Sequence, residues 1–177
     1  MRSTFRRSIL LLAIAAPLAA CSHKGVDNCP GVSSVVETSV ATVFGPGPSR
    51  DPSNILYTIE ISGLKSSCDF DKSAENSQTN LEITFRGTRA PNGAAAHYRV
   101  PYFVAVSQSD RIVSKRVFSA DLGFEPGETS TTFTDTIGAV NVRAGREKHT
   151  FDYEILAGLQ LTKEQLQYNR TTGRLVP

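Results

Sequence analysis

Phe151-Asp152-Tyr153-Glu154-Ile155-Leu156-Ala157-Gly158-Leu159-Gln160-Leu161 holds one register over eleven residues. Phe151, Tyr153, Ile155, Ala157, Leu159 and Leu161 fall on one side, and Asp152, Glu154, Leu156, Gly158 and Gln160 on the other. A period of two belongs to a strand with one buried face, because successive side chains leave a pleated backbone in opposite directions. Thr162-Lys163-Glu164-Gln165 then matches a capping box, in which Thr162 and Gln165 satisfy each other's orphan amides. One short helix is expected there, over about residues 163–169.

The same alternation recurs upstream. Ile55, Tyr57, Ile59 and Ile61 oppose Thr58 and Glu60 up to Gly63, and Cys68 and Phe70 continue a same-side pair. Asp71 to Asn80 is polar and reads as a loop, after which Leu81, Ile83 and Phe85 alternate with Glu82, Thr84 and Arg86. Ala90-Pro91-Asn92-Gly93 is turn chemistry and predicts a hairpin into Tyr98, Val100, Tyr102, Val104 and Val106. Pro101, which cannot donate to a ladder, predicts an edge or a bulge. A mixed strand over Arg111–Ala120 follows the turn at Ser107–Asp110. Beyond the Gly123–Gly127 turn come a Thr-rich strand near an edge, Ser130–Ile137, and a short one over Ala139–Arg143. Gly45 to Pro52, with three prolines and two glycines, must be a loop. Many short strands, without repeats or heptads, predict an all-β antiparallel sandwich of immunoglobulin-like topology, although no Trp marks a true immunoglobulin domain.

The chain has 177 residues, 40% hydrophobic and 20% charged, enough for one folded domain and no apolar run long enough to span a bilayer. Residues 1–20 read as an export signal: Arg2, Arg6 and Arg7 precede an apolar stretch from Ile9 to Leu18, then Ala19 and Ala20. Without those three cations, sixteen Lys and Arg face seventeen Asp and Glu, so the mature chain is near neutral and no nucleic-acid partner is expected. An ordinary signal peptidase cutting before Cys21 meets Leu18 at minus three instead of a small residue. Leu18-Ala19-Ala20-Cys21 resembles the lipobox of bacterial lipoproteins, which implies that the Cys21 thiol is acylated and the peptide cut before it. The alternative is a thiol fallen by chance at the end of a normal signal. Ser22, where enteric lipoproteins held at the inner membrane carry Asp, implies outer-membrane sorting. Residues 21–28 read as a tether and 29–177 as the sandwich domain.

Setting Cys21 aside leaves Cys29 and Cys68, which an oxidising compartment would join. Closing a loop of about 40 residues stabilises by roughly 4 kcal/mol in the chain-entropy model. Two buried thiols are the alternative; a zinc site lacks partners at ligand spacing.

Gly45 to Asp51, Ser67-Cys68-Asp69-Phe70, Pro101-Tyr102-Phe103-Val104-Ala105-Val106, Asp152-Tyr153-Glu154-Ile155 and Leu161-Thr162-Lys163-Glu164-Gln165-Leu166 together resemble a group of small alphaproteobacterial envelope lipoproteins. The resemblance covers most of the mature chain; it implies location and class and brings no activity.

Chemistry-bearing motifs are sparse. His23 falls in the tether, and His97 and His149 sit at strand starts, with no Gly-x-Ser-x-Gly elbow to go with them. Asp69, Asp71 and Glu75 lack the glycine and twelfth-position Glu of an EF-hand loop and read as an acidic turn. Arg143, Arg146 and Lys148 make a small basic turn that either binds an anionic lipid or polymer or is simply solvated. Asn169-Arg170-Thr171 matches a glycosylation acceptor, an accident in a bacterium. No phosphate loop, metal or cofactor is expected. The sequence therefore points to a noncatalytic, lipid-anchored periplasmic or outer-membrane protein that presents an edge strand or the Gly45–Asp51 loop to an envelope protein or polymer. A loop-borne hydrolase or carbohydrate-binding site is the alternative.

Overall fold

The computed structural model describes residues 28–47, 49–91 and 93–173. The expected leader 1–20, Cys21, and the tether through residue 27 lie outside them. Eight strands fold into two packed sheets: β1 (Gly31–Ser34), β2 (Val40–Phe44), β3 (Ile55–Asp71), β4 (Asn76–Thr88), β5 (Ala96–Gln108), β6 (Arg111–Phe124), β7 (Ser130–Arg143) and β8 (Tyr153–Leu159). One sheet has the order β1-β8-β5-β6 and the other β2-β3-β4-β7. All pairings are antiparallel except β1 with β8. The crossed pairs β4–β7 and β5–β8 are those of strands B–E and C–F in an immunoglobulin sandwich. Here β1 lies beyond β8, where strand G would be, and runs parallel to it.

The alternating runs are the core. Leu81, Ile83 and Phe85 from β4 are fully buried, as are Tyr102 from β5 and Ile155, Ala157 and Leu159 from β8, and Val100, Val104 and Val106 from β5 are nearly so. Each large side chain so buried contributes about 1.5–3 kcal/mol by leaving water. Phe133, Phe85, Tyr102 and Phe118 form a ring series from one sheet to the other, with centroids 6.3, 5.0 and 5.4 Å apart. Helix α1 (Lys163–Thr172) starts on the expected box: the Thr162 amide donates to Gln165 Oε1 at 2.9 Å, and the Gln165 amide to Thr162 Oγ1 at 3.2 Å. Gly173, at φ +64°, ends it.

Several expectations are corrected. Gly63 does not close a strand: β3 continues to Asp71 through a bulge at Ser62, which reverses the facing so that Leu64 packs on the core. Asn76–Asn80 belongs to β4, because Ser77 and Thr79 point into the sandwich despite being polar. Strands β4 and β5 lie in different sheets, so the hairpin expected between them is not formed. Pro101 lies in the central strand β5; its carbonyl accepts from the Gln160 amide, so its missing N–H faces just beyond the last β5–β8 pair, Tyr102–Leu159. Gly123 and Phe124 are still in β6, and the two segments expected between Ser130 and Arg143 are one edge strand, bulged at Gly138–Ala139. The last strand spans Tyr153–Leu159, because the Asp152 carboxylate caps a tight turn at Thr150–Asp152 by accepting from the His149 amide.

A Cβ at Gly158 would lie 2.6 Å from the Phe103 ring and against Thr38 Oγ1, whereas one at Gly138 meets nothing nearer than 3.8 Å. Gly158→Val is therefore expected to lower stability by about 1–3 kcal/mol in urea unfolding. Gly138→Ala should stay within about 0.5 kcal/mol of the parent.

Candidate functional site

The strand directions gather functional side chains at two opposite ends. At the end where Asn28 begins the described chain, Cys29 and Cys68 are joined, with Cα atoms 6.2 Å apart. The bond runs from the segment preceding β1 to β3 in the other sheet. Buried Thr150 donates its hydroxyl hydrogen to the Asn28 carbonyl, so the start of β1 and the turn before β8 are fastened together. The basic turn Arg143, Arg146 and Lys148 leads into that same turn and is exposed at this end.

The acidic turn has local employment. Asp71 Oδ1 accepts from the Ser73 amide at 2.9 Å and the Ser73 hydroxyl at 2.6 Å, and the hydroxyl bond chiefly holds its carboxyl below the usual range. Glu75 Oε2 lies 3.9 Å from His149 Nδ1, whose ring stacks on exposed Phe151 at 4.8 Å. Among the described residues, no three His, Cys, Asp or Glu side chains gather as a metal site would.

At the opposite end, the Gly45–Asp51 loop and α1 border a groove of about 280 Å³ lined by Thr42, Phe44, Arg50, Thr162, Gln165 and Tyr168. Tyr168 meets Phe44 edge-on at 5.0 Å, and the Arg50 guanidinium lies 5.3 Å from the Phe44 ring centre. An aromatic wall with donors and acceptors around it suits a polar, partly apolar ligand or a polypeptide loop. Neither His97 nor His149 lines this groove.

The structural roles of two residues, Arg89 and Asn169, have no signature in the sequence. Arg89 holds the loops of this end: its guanidinium donates to the carbonyls of Glu128 at 2.8 Å, Ala94 at 2.6 Å and Glu125 at 2.8 Å, over the Phe124 ring. Asn169 is buried in α1 and donates to the Val40 carbonyl at 2.7 Å, which removes it from any acceptor role at the surface. An arginine before a turn and an asparagine in a helix carry no pattern that announces such distant partners.

A short side-chain hydrogen bond joins the sheets. The Tyr102 hydroxyl donates to Asp135 Oδ2 at 2.5 Å, and burial, followed by this bond and the carboxylate charge, raises the phenol well above the ordinary tyrosine range. Tyr102 is buried and Asp135 half-buried, so the bond ties β5 to β7 across the sandwich. The folded state retains a proton that the unfolded chain releases near pH 10, so stability holds below about pH 10 and falls as pH rises past it. Tyr102→Phe should cost about 1–2 kcal/mol at pH 7 and flatten that alkaline loss when urea midpoints are compared across pH; an unchanged alkaline slope contradicts the assignment.

Comparison with known protein families, with curated proteins and with solved structures found no match.

Proposed function

We propose that this chain is a noncatalytic envelope lipoprotein, anchored through acylated Cys21 on the periplasmic side of the outer membrane, that presents an interaction surface to other envelope components. The observation that carries the reading is the run Leu18-Ala19-Ala20-Cys21 behind a charged and apolar leader. The Cys29–Cys68 bond supports it, since such bonds persist in oxidising compartments. Several acyl chains give a stable hold that one chain cannot.

From Cys21 to Asn28 the chain advances seven residues, at most about 25 Å when extended. The long strands, with 13 residues in β4 and 14 in β7, span roughly 45 Å. A tether shorter than the domain keeps the Asn28 end beside the bilayer and turns the groove of Phe44, Arg50 and Tyr168 outward. Anchoring also raises the domain's effective concentration near other envelope components, as linkage does for any paired binding module.

A photoreactive residue in place of exposed Gln167, beside the groove, should form adducts with protein or glycan in cells, read by mass spectrometry of the cross-linked peptides. Cys21→Ser should release the chain from the membrane fraction and abolish those adducts. Recovery of lipid alone overturns the interaction role, and membrane retention of the Cys21→Ser chain overturns the anchor.

A further inference from the structure

The six exposed large hydrophobics among the described residues are unevenly distributed. Ile112, Val113, Val117 and Phe151 lie in the half of the molecule nearest Asn28, whereas Leu56 lies at the other end and Val36 in the short turn between β1 and β2. The first half of β6, Arg111 to Val117, is exposed on both faces, and Arg111, Lys115 and Arg116 interrupt its apolar residues with no carboxylate before Asp121. Lys115 Nζ lies 4.2 Å from the centre of the Phe103 ring, which is opposite Val117 in the neighbouring strand. Of the acids at this end, Asp71, Glu75, Asp152 and Glu154 are engaged by Ser73, the His149 ring, the His149 amide and Ser33, whereas Asp69, Asp110 and Glu147 are exposed, Glu147 between Arg146 and Lys148 in the basic turn itself.

The geometry points to a membrane-docking face: the Arg111–Val117 half of β6, together with Phe151 and the basic turn Arg146–Lys148, rests on the headgroups of an anionic phospholipid leaflet. This inference rests on the anchor reading and deepens it. Strand β6 is three strand spacings from β1, about 14 Å, so the patch is within a tether reach of about 25 Å. Apolar side chains ringed by Lys and Arg are the composition that settles at a headgroup boundary. Two other occupants fit less well. A second copy paired antiparallel along β6 would bring two sets of Arg111, Lys115 and Arg116 together along one edge with no carboxylate between them. An added peptide strand would meet the bulge at Val113 and flanking cations, the devices that keep edges unpaired.

The chain contains no Trp, so single tryptophans report position without background. Val117→Trp, Phe151→Trp and, as the distant control, Leu56→Trp are each prepared as the full acylated protein in vesicles containing phosphatidylglycerol and brominated lipid. The tryptophans at 117 and 151 should each lose roughly half their emission, because a docked side chain sits about 5–10 Å into the headgroup boundary. The one at 56 should lose none. Lys115→Glu with Arg116→Glu should relieve the quenching at 117, as should purely zwitterionic vesicles. Equal quenching at all three positions, or none, overturns the docking face while leaving the anchor intact. Dimers in solution that shield the tryptophan at 117 from iodide overturn it in favour of a second copy. Failure of the unaltered protein to float with vesicles removes the anchor itself, and this inference with it.

Discussion

Tyr102 holds the two sheets at a fixed separation. Its ring is closed between Phe85 and Phe118, and its hydroxyl reaches across to Asp135 on β7, so one side chain contributes both packing and a charge-assisted bond between layers. In a domain without tryptophan, this aromatic series fills the space between sheets. The backbone ladders align the long strands around it, and their alignment gathers the turns into two ends.

Everything functional follows from which turn falls at which end. The Cys29–Cys68 bond and the Thr150 hydroxyl fix the start of the domain beside the basic turn, and Arg89 fixes the loops at the other end, where the α1 groove also lies. With the proposed anchor only seven residues away, this polarity becomes an orientation: one end for the proposed lipid contact, the other for the proposed partner. No catalytic geometry is needed for such a role, only a short tether and a rigid body.

The strands with strict alternation, β4 from Leu81, β5 and β8, were legible because burial of one face imposes period two, and the helix start was legible because its box is local. Strands β1 and β2 were not, since Gly31–Ser34 and Val40–Phe44 are too short to show a period. Single-residue bulges at Ser62 and Gly138–Ala139 shift parity, and the buried hydroxyls of Ser77 and Thr79 hide a strand inside a polar run. Of the site, the disulfide could be read by counting thiols. The meeting of Thr150 with Asn28 could not, because the contact spans 122 residues and depends on the whole sheet.

The account stands most directly on the chemistry of one sulfur atom. An intact mass of the protein purified from membranes, with a nonreducing digest, should show a chain beginning at Cys21 that carries acyl groups, with Cys29 joined to Cys68. A mature chain beginning elsewhere, or an unmodified Cys21, contradicts it.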